Sequence, residues 1–170
     1  MEGEIVNRVA KSRTKLLDLE TFYPVHPRKS FDIAPLLFQG IVVKEKEFRE
    51  QLDDYDFSSY KDCFVAVHCS TDAIVPTWAF MLVAARLENT AKLVSFGTPE
   101  DLEISIMEQV IGSLSLGEFE NQRVIIKGCS KINIPTAAYL RLTHLLSKVA
   151  KAVFYGEPCS TVPVFKRTRD

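Results

Sequence analysis

The chain has 170 residues, a formal net charge of −1, and 46% hydrophobic against 25% charged residues. At that length one domain with its own core is the default, without disulfide staples. The charge balance argues against a nucleic-acid or anionic-membrane surface as the main business of the chain, and no stretch reaches the ~20 apolar residues of a membrane span.

The opening MEGEIVNRVAKSR carries acids where a secretion signal needs a basic start, so a cytoplasmic location is expected. Four cysteines in a reducing compartment are expected as thiols or ligands rather than disulfides. Lys166, Arg167 and Arg169 form a small basic tail, read as a solvated terminus.

Residues 3–11 have the spacing of a short helix, with Ile5, Val6 and Val9 on one side. Lys15–Leu19 is a strand candidate. Residues 21–30 (TFYPVHPRKS) hold two prolines and no periodicity, which predicts an ordered loop. FQGIVV (38–43) reads as a strand, and residues 44–54 as a helix with Phe48 and Leu52 four apart.

From residue 62 the pattern is simpler. Strands are expected at 63–68, 92–96, 123–127 and 152–155, with a short extended piece at 161–165. Helices are expected at 76–87, 98–111 and 135–148; Thr98-Pro99-Glu100-Asp101 is a good helix start. Alternation of this kind indicates βαβ units and a mainly parallel sheet. The expected fold is therefore a single α/β domain over 1–170: a three-layer, open sheet, Rossmann-like or flavodoxin-like in the loose sense. Residues 1–60 form its less regular N-terminal part and 61–165 its βαβ core.

Three of these strands lead into a Cys-Ser pair: Cys69-Ser70, Cys129-Ser130 and Cys159-Ser160. VHCSTDAIVPTWAFM and IIKGCSKINIPTAAYL share one grammar of strand, Cys-Ser loop, and helix opened by Pro-Thr. Open parallel sheets bind ligands beyond the carboxyl ends of their strands, near the point where strand order reverses. With 92–96 at the edge, the order becomes 92–96, 63–68, 123–127, 152–155. The three thiol-bearing strands are then neighbours ~4.8 Å apart. Helices starting at Pro76 and Pro135 bring positive dipole ends to the same place, and Gly128 and Gly156 let backbone approach closely.

Three chemistries fit this pattern. One is a metal site for zinc or iron, or an iron–sulfur cluster, held by Cys69, Cys129 and Cys159. His68, Asp72 or an outside group is then the fourth ligand, and Ser70, Ser130 and Ser160 donate to the thiolates or to a bound anion. Another is thiol or persulfide transfer, with one nucleophilic cysteine and one resolving it. The third is a small-molecule- or protein-binding module whose cysteines are structural, since free cysteine is among the most buried residue types. His68 also fits a packing role and Asp72 an Asx-turn. Cys63 and Trp78 read as core, and His144 as exposed. There is no GxGxxG, Walker-type loop, G-x-S-x-G elbow or HExxH, which argues against nucleotide, serine-hydrolase and zincin functions.

The segments EIVNRVA, FQGIVVKEKEFRE, VHCSTDAIVPTWAFM, VIIKGCSKINIPTAAYLRL and YGEPCSTVPVF together resemble the bacterial domain-of-unknown-function family 2480, over nearly the whole chain. The resemblance implies an accessory role in iron–sulfur cluster assembly, carried by Cys69, Cys129 and Cys159, with assembly proteins as partners.

Overall fold

The protein is represented by a computed structural model that describes residues 14–128 and 131–168. The helix expected at 3–11 and the residues Cys129 and Ser130 lie outside the described residues. The elements follow in the order β1 (Thr14–Leu17), β2 (Arg28–Asp32), α1 (Glu45–Asp53), β3 (Phe64–His68), α2 (Thr77–Leu87), β4 (Leu93–Phe96), α3 (Pro99–Ser113), β5 (Arg123–Lys127), α4 (Thr136–Val149), β6 (Ala152–Glu157) and β7 (Ser160–Lys166). No helix among the described residues is long and apolar enough to cross a membrane. The protein is α/β with mainly parallel strands, as the alternating pattern predicts.

The chain forms two compact units. The continuous unit is Pro24–Ile106; the discontinuous one combines Met1–Tyr23 with Met107–Asp170. In the continuous unit three parallel strands stand in the order β2-β3-β4. β3 is an apolar run covered on both faces, as a central parallel strand requires. One face packs with Phe48 and Leu52 of α1 and with Ala79, Val83 and Leu87 of α2. On the other, Phe64 and Ala66 meet Leu102 and Ile106 of α3. In the discontinuous unit the order is β1-β5-β6-β7, parallel except for β7, which returns antiparallel along β6. Its core gathers Leu17, Met107, Val124, Ile126, Leu142, Leu146 and Val153.

Two local expectations are corrected. Residues 28–32 form strand β2 rather than loop. Its prolines stand before it, and Pro27 O accepts a hydrogen bond from Phe64 N at 2.8 Å. Residues 38–43 form a tight turn rather than a strand: Phe38 pairs only with Val42, and Gln39 and Gly40 have φ of 51° and 71°. Two successive positive φ values reverse the chain as a hairpin turn does.

The larger correction concerns strand order. β3 pairs with β2 and β4, and β5 pairs with β1 and β6. Both edges of each strand are taken, so 63–68 and 123–127 are not neighbours and the order 92–96, 63–68, 123–127, 152–155 does not form. The partners that fill those edges are β1 and β2, from the part of the chain that reads as irregular.

The two units are copies of one design. β3 and β5 are the same strand displaced by 59 residues (64 to 123), as are α2 and α4 (77 to 136). The buried helix positions Ala79, Val83 and Leu87 recur as Ala138, Leu142 and Leu146. Asp62 and Asn121 both have positive φ (59° and 54°), as do Gly97 and Gly156 (117° and 130°). Even single loop hydrogen bonds recur at the same shift. Lys92 N donates to Cys63 O and Lys151 N to Gln122 O; Asp62 N donates to Thr90 O and Asn121 N to Val149 O.

Candidate functional site

Each unit has a cavity beyond the carboxyl ends of its parallel strands, where an open sheet offers a ligand the loop backbone and a helix start. Eight residues join strand to helix in both cases, 69–76 after β3 and 128–135 after β5.

In the continuous unit the loop is tied down by Asp32 at the end of β2, which stands in register with His68. One Asp32 oxygen accepts from Ala34 N and Ser70 N, both at 2.9 Å. The other accepts from Ser70 Oγ at 2.5 Å. Burial pushes this carboxyl up, but the Ser70 and Ala34 hydrogen bonds and the nearby His68 outweigh it and hold it below its ordinary 3.8. The cavity here measures about 500 Å³, and His68, Cys69, Val75, Phe80, Phe96 and Asp101 are among its walls. Cys69 Sγ lies 3.3 Å from Thr71 Oγ1. Thr98 and Asp101 close one side with a capping box at the start of α3: Thr98 N donates to Asp101 Oδ2 at 2.8 Å, and Asp101 N to Thr98 Oγ1 at 3.2 Å.

The discontinuous unit repeats the arrangement with other side chains. Asp18 follows β1 as Asp32 ends β2, and like Asp32 it accepts from the backbone N–H two residues on, here Glu20 N at 3.0 Å, which caps the 3-10 turn Leu19–Phe22. Its second oxygen takes Lys127 Nζ at 2.7 Å, where the other unit has His68. That hydrogen bond raises the Lys127 ammonium above its ordinary value, against the opposing effect of burial. The cavity measures about 600 Å³ and is lined by Gly128, Lys131, Asn133, Ile134, Tyr139 and Tyr155, among others.

The rings carry the repeat into the cavities. Phe80 and Phe96 meet edge to face at 5.1 Å and 87°; Tyr139 and Tyr155, each 59 residues on (80 to 139, 96 to 155), meet at 5.6 Å and 88°. Gly128 fits closely beside them: a Cβ there would stand 3.1 Å from Tyr155 Cζ and 3.3 Å from Gly156 Cα, so the ring would have to give by a few tenths of an ångström.

The cysteines do not follow this repeat. Cys69 comes directly after β3, but the corresponding residue after β5 is Gly128, and Cys129 falls one place later by count along the chain. Cys159 is at the two-residue tip of the β6–β7 hairpin, exposed, with Ser160 paired to Glu157. Ser70 and Asp72 are exposed, His68 and Cys69 partly buried, and Cys63 is a core residue as expected. Among the described residues no three His, Cys, Asp or Glu side chains are grouped to hold a metal ion. Sequence reasoning passed over the two ring pairs, Asp18 and Asp32. Sliding the chain on itself by 59 residues superposes Phe80 on Tyr139 and Phe96 on Tyr155, which is the signal that finds them.

No curated protein and no solved structure matches the chain. The family model described as "Protein of unknown function (DUF2480)" matches residues 3–167, nearly the whole chain, and the protein belongs to that family.

Proposed function

We propose that this is a small-molecule-binding protein with one ligand seat in each unit, at the carboxyl ends of the parallel strands. The observation that carries the reading is recurrence. The same cavity, between the same loop and the same edge-to-face ring pair, stands in both units at a shift of 59 residues (80 to 139). Volumes of 500 and 600 Å³ suit a compact organic ligand. The exposed Asp72, Ser70 and Ser160 then serve loop and hairpin geometry, and Cys69 is one wall of a seat.

The test is a titration of the full chain with small ring compounds, read by backbone amide shifts. Saturable shifts at the residues lining a seat are expected. Ala73→Trp should abolish those in the continuous unit and Ile132→Trp those in the discontinuous one. No saturable shift at any lining residue refutes the reading.

A second reading keeps the thiol. Cys69 and His68 open on one cavity, and Cys63, Cys69 and Cys159 are all free thiols, which favours a reducing, cytoplasmic compartment. A zinc, iron or iron–sulfur site, with iron–sulfur assembly proteins as partners, or a persulfide carried on Cys69, would use them. Metal analysis of protein purified without air, beside Cys69→Ser, Cys129→Ser and Cys159→Ser, decides for or against the metal. Alkylation of Cys69 no faster than of a free thiol at neutral pH speaks against the persulfide.

A further inference from the structure

We infer that the seat in the discontinuous unit selects a neutral heterocyclic ring bearing an amide-type N–H and C=O edge, whereas its counterpart in the continuous unit takes apolar rings. The inference rests on the cavities being ligand seats, and it follows from what changes between the copies. Val75 and Ile134 keep an apolar wall, and the ring pairs keep their edge-to-face geometry. Among the substitutions at the 59-residue shift are Phe80 to Tyr139, Phe96 to Tyr155 and Ile74 to Asn133, beside His68 to Lys127, Cys69 to Gly128, Ala73 to Ile132 and Thr98 to Glu157; the first three bear on the ring pair and its rim. They preserve the shape of the rings and add two phenol hydroxyls and one carboxamide.

These groups have capacity to spare. Among the described residues the half-buried Tyr139 hydroxyl has no hydrogen-bond partner. Tyr155 OH donates to Gly128 O only at 3.4 Å, a long bond that a ligand can replace. A carboxamide both donates and accepts, and so does a phenol, so together they match a ligand edge that presents one N–H beside one C=O.

The charges around the seat argue for a neutral ligand. Lys127 is held by Asp18 at 2.7 Å, and Glu20 accepts from Lys131 N at 3.2 Å. Burial first, then Tyr155, Asp18 and Glu20, raise the Tyr139 phenol, so it stays protonated and able to donate. Of these charged groups only Lys131 lines the cavity, and Asp18 and Glu20 stand near Lys127, so no cluster of one sign faces the ligand. A ring without polar groups would cover the Tyr139 hydroxyl and the Asn133 amide without bonding them, which is the stronger form of rejection. In the counterpart seat Phe80, Phe96 and Val75 make no such demand; of its polar walls Thr98 and Asp101 bond each other and Cys69 bonds Thr71, and the same rings continue into an apolar cavity of about 540 Å³ with Met81 and Val94.

The experiment titrates the full chain with 2-pyridone and, separately, with benzene, which has nearly the same size and no polar edge. Backbone amide shifts at Ile132, Ile134 and Tyr139 report one seat, and those at Ala73, Val75 and Phe80 the other. The expected result is that 2-pyridone saturates the first set and benzene the second. Asn133→Ala should weaken 2-pyridone roughly tenfold, and Tyr139→Phe with Tyr155→Phe at least as much, while the double variant gains benzene at that seat. Both probes saturating both seats equally, or 2-pyridone binding unchanged in Asn133→Ala, overturns the selectivity. Silence of both seats toward both probes overturns the ligand-seat reading itself.

Discussion

Asp32→Ala is the sharpest test of how the Cys69 loop is held. The substitution removes three hydrogen bonds at once, from Ala34 N, Ser70 N and Ser70 Oγ. A hydrogen bond to a charged group contributes about 1.5–3 kcal/mol. Asp32 is partly exposed and water replaces some of what is lost, so the lower end applies and the sum is about 2 kcal/mol. With a urea slope of about 2 kcal/mol/M, the midpoint should fall by about 1 M. The single tryptophan, Trp78, reports this unit: it is in α2, edge-on to Phe48 at 6.0 Å, and its fluorescence follows the unfolding. The effect has a sign in pH. The Asp32 carboxyl is depressed in the folded chain, so its contribution is fully present above the ordinary value of 3.8 and is lost as pH falls through the folded value. The gap between wild type and Asp32→Ala should therefore be full at neutral pH and close in acid, as pH falls below the ordinary 3.8 and through the lowered folded value. A midpoint within about 0.2 M of wild type at neutral pH, or a gap that persists in acid, refutes the account.

Leu142→Ala should cost about 2–5 kcal/mol in thermal or urea unfolding, because Leu142 is fully buried in the discontinuous unit's core; Leu140→Ala, at an exposed position on the same helix, should stay within about 0.5 kcal/mol. Gly156→Ala places a Cβ 2.4 Å from Ser160 O at a φ of 130° and should destabilise by at least about 1–3 kcal/mol. Gly112→Ala meets nothing within 4 Å in helix α3 and should stabilise by about 0.5–1 kcal/mol. Iodoacetamide followed by peptide mass analysis should label Cys159 first, Cys69 more slowly, and Cys63 only on unfolding, because they are exposed, partly buried and buried in that order. Equal labelling of Cys63 and Cys159 in the native chain contradicts those positions.

The central strands and crossover helices were legible because their pattern is local: FVAVH and RVIIK are apolar runs, and Pro76-Thr77 and Pro135-Thr136 open helices. Of the edge strands, β1, β4 and β7 were also expected, at 15–19, 92–96 and 161–165, and β2 was not. RKSFD buries only Phe31, since an edge strand packs one face and leaves polar residues on the other. Missing β2 left an edge of β3 open on paper, and a single sheet through all four apolar strands filled it. The repeated Cys-Ser pairs were read as equivalent because the dipeptides are identical. Register is set instead by the strand and helix they lie between, and there Gly128 answers Cys69. The ring pairs escaped notice because Phe and Tyr in such positions read individually as ordinary core.

β1 has one consequence for how the chain is made. Thr14 pairs with Arg123, so the strand near the start of the chain waits for a partner made 109 residues later (14 to 123). At roughly 5–20 residues per second that wait is about 5–20 s on the ribosome. During it the whole of Pro24–Ile106 emerges and can form its own three-stranded sheet. The continuous unit is thus a strand-pairing competitor present before the proper partner exists. β1 is four residues long, TKLL, with a lysine on it, and a short, charged strand is the kind least able to adopt a wrong edge while it waits.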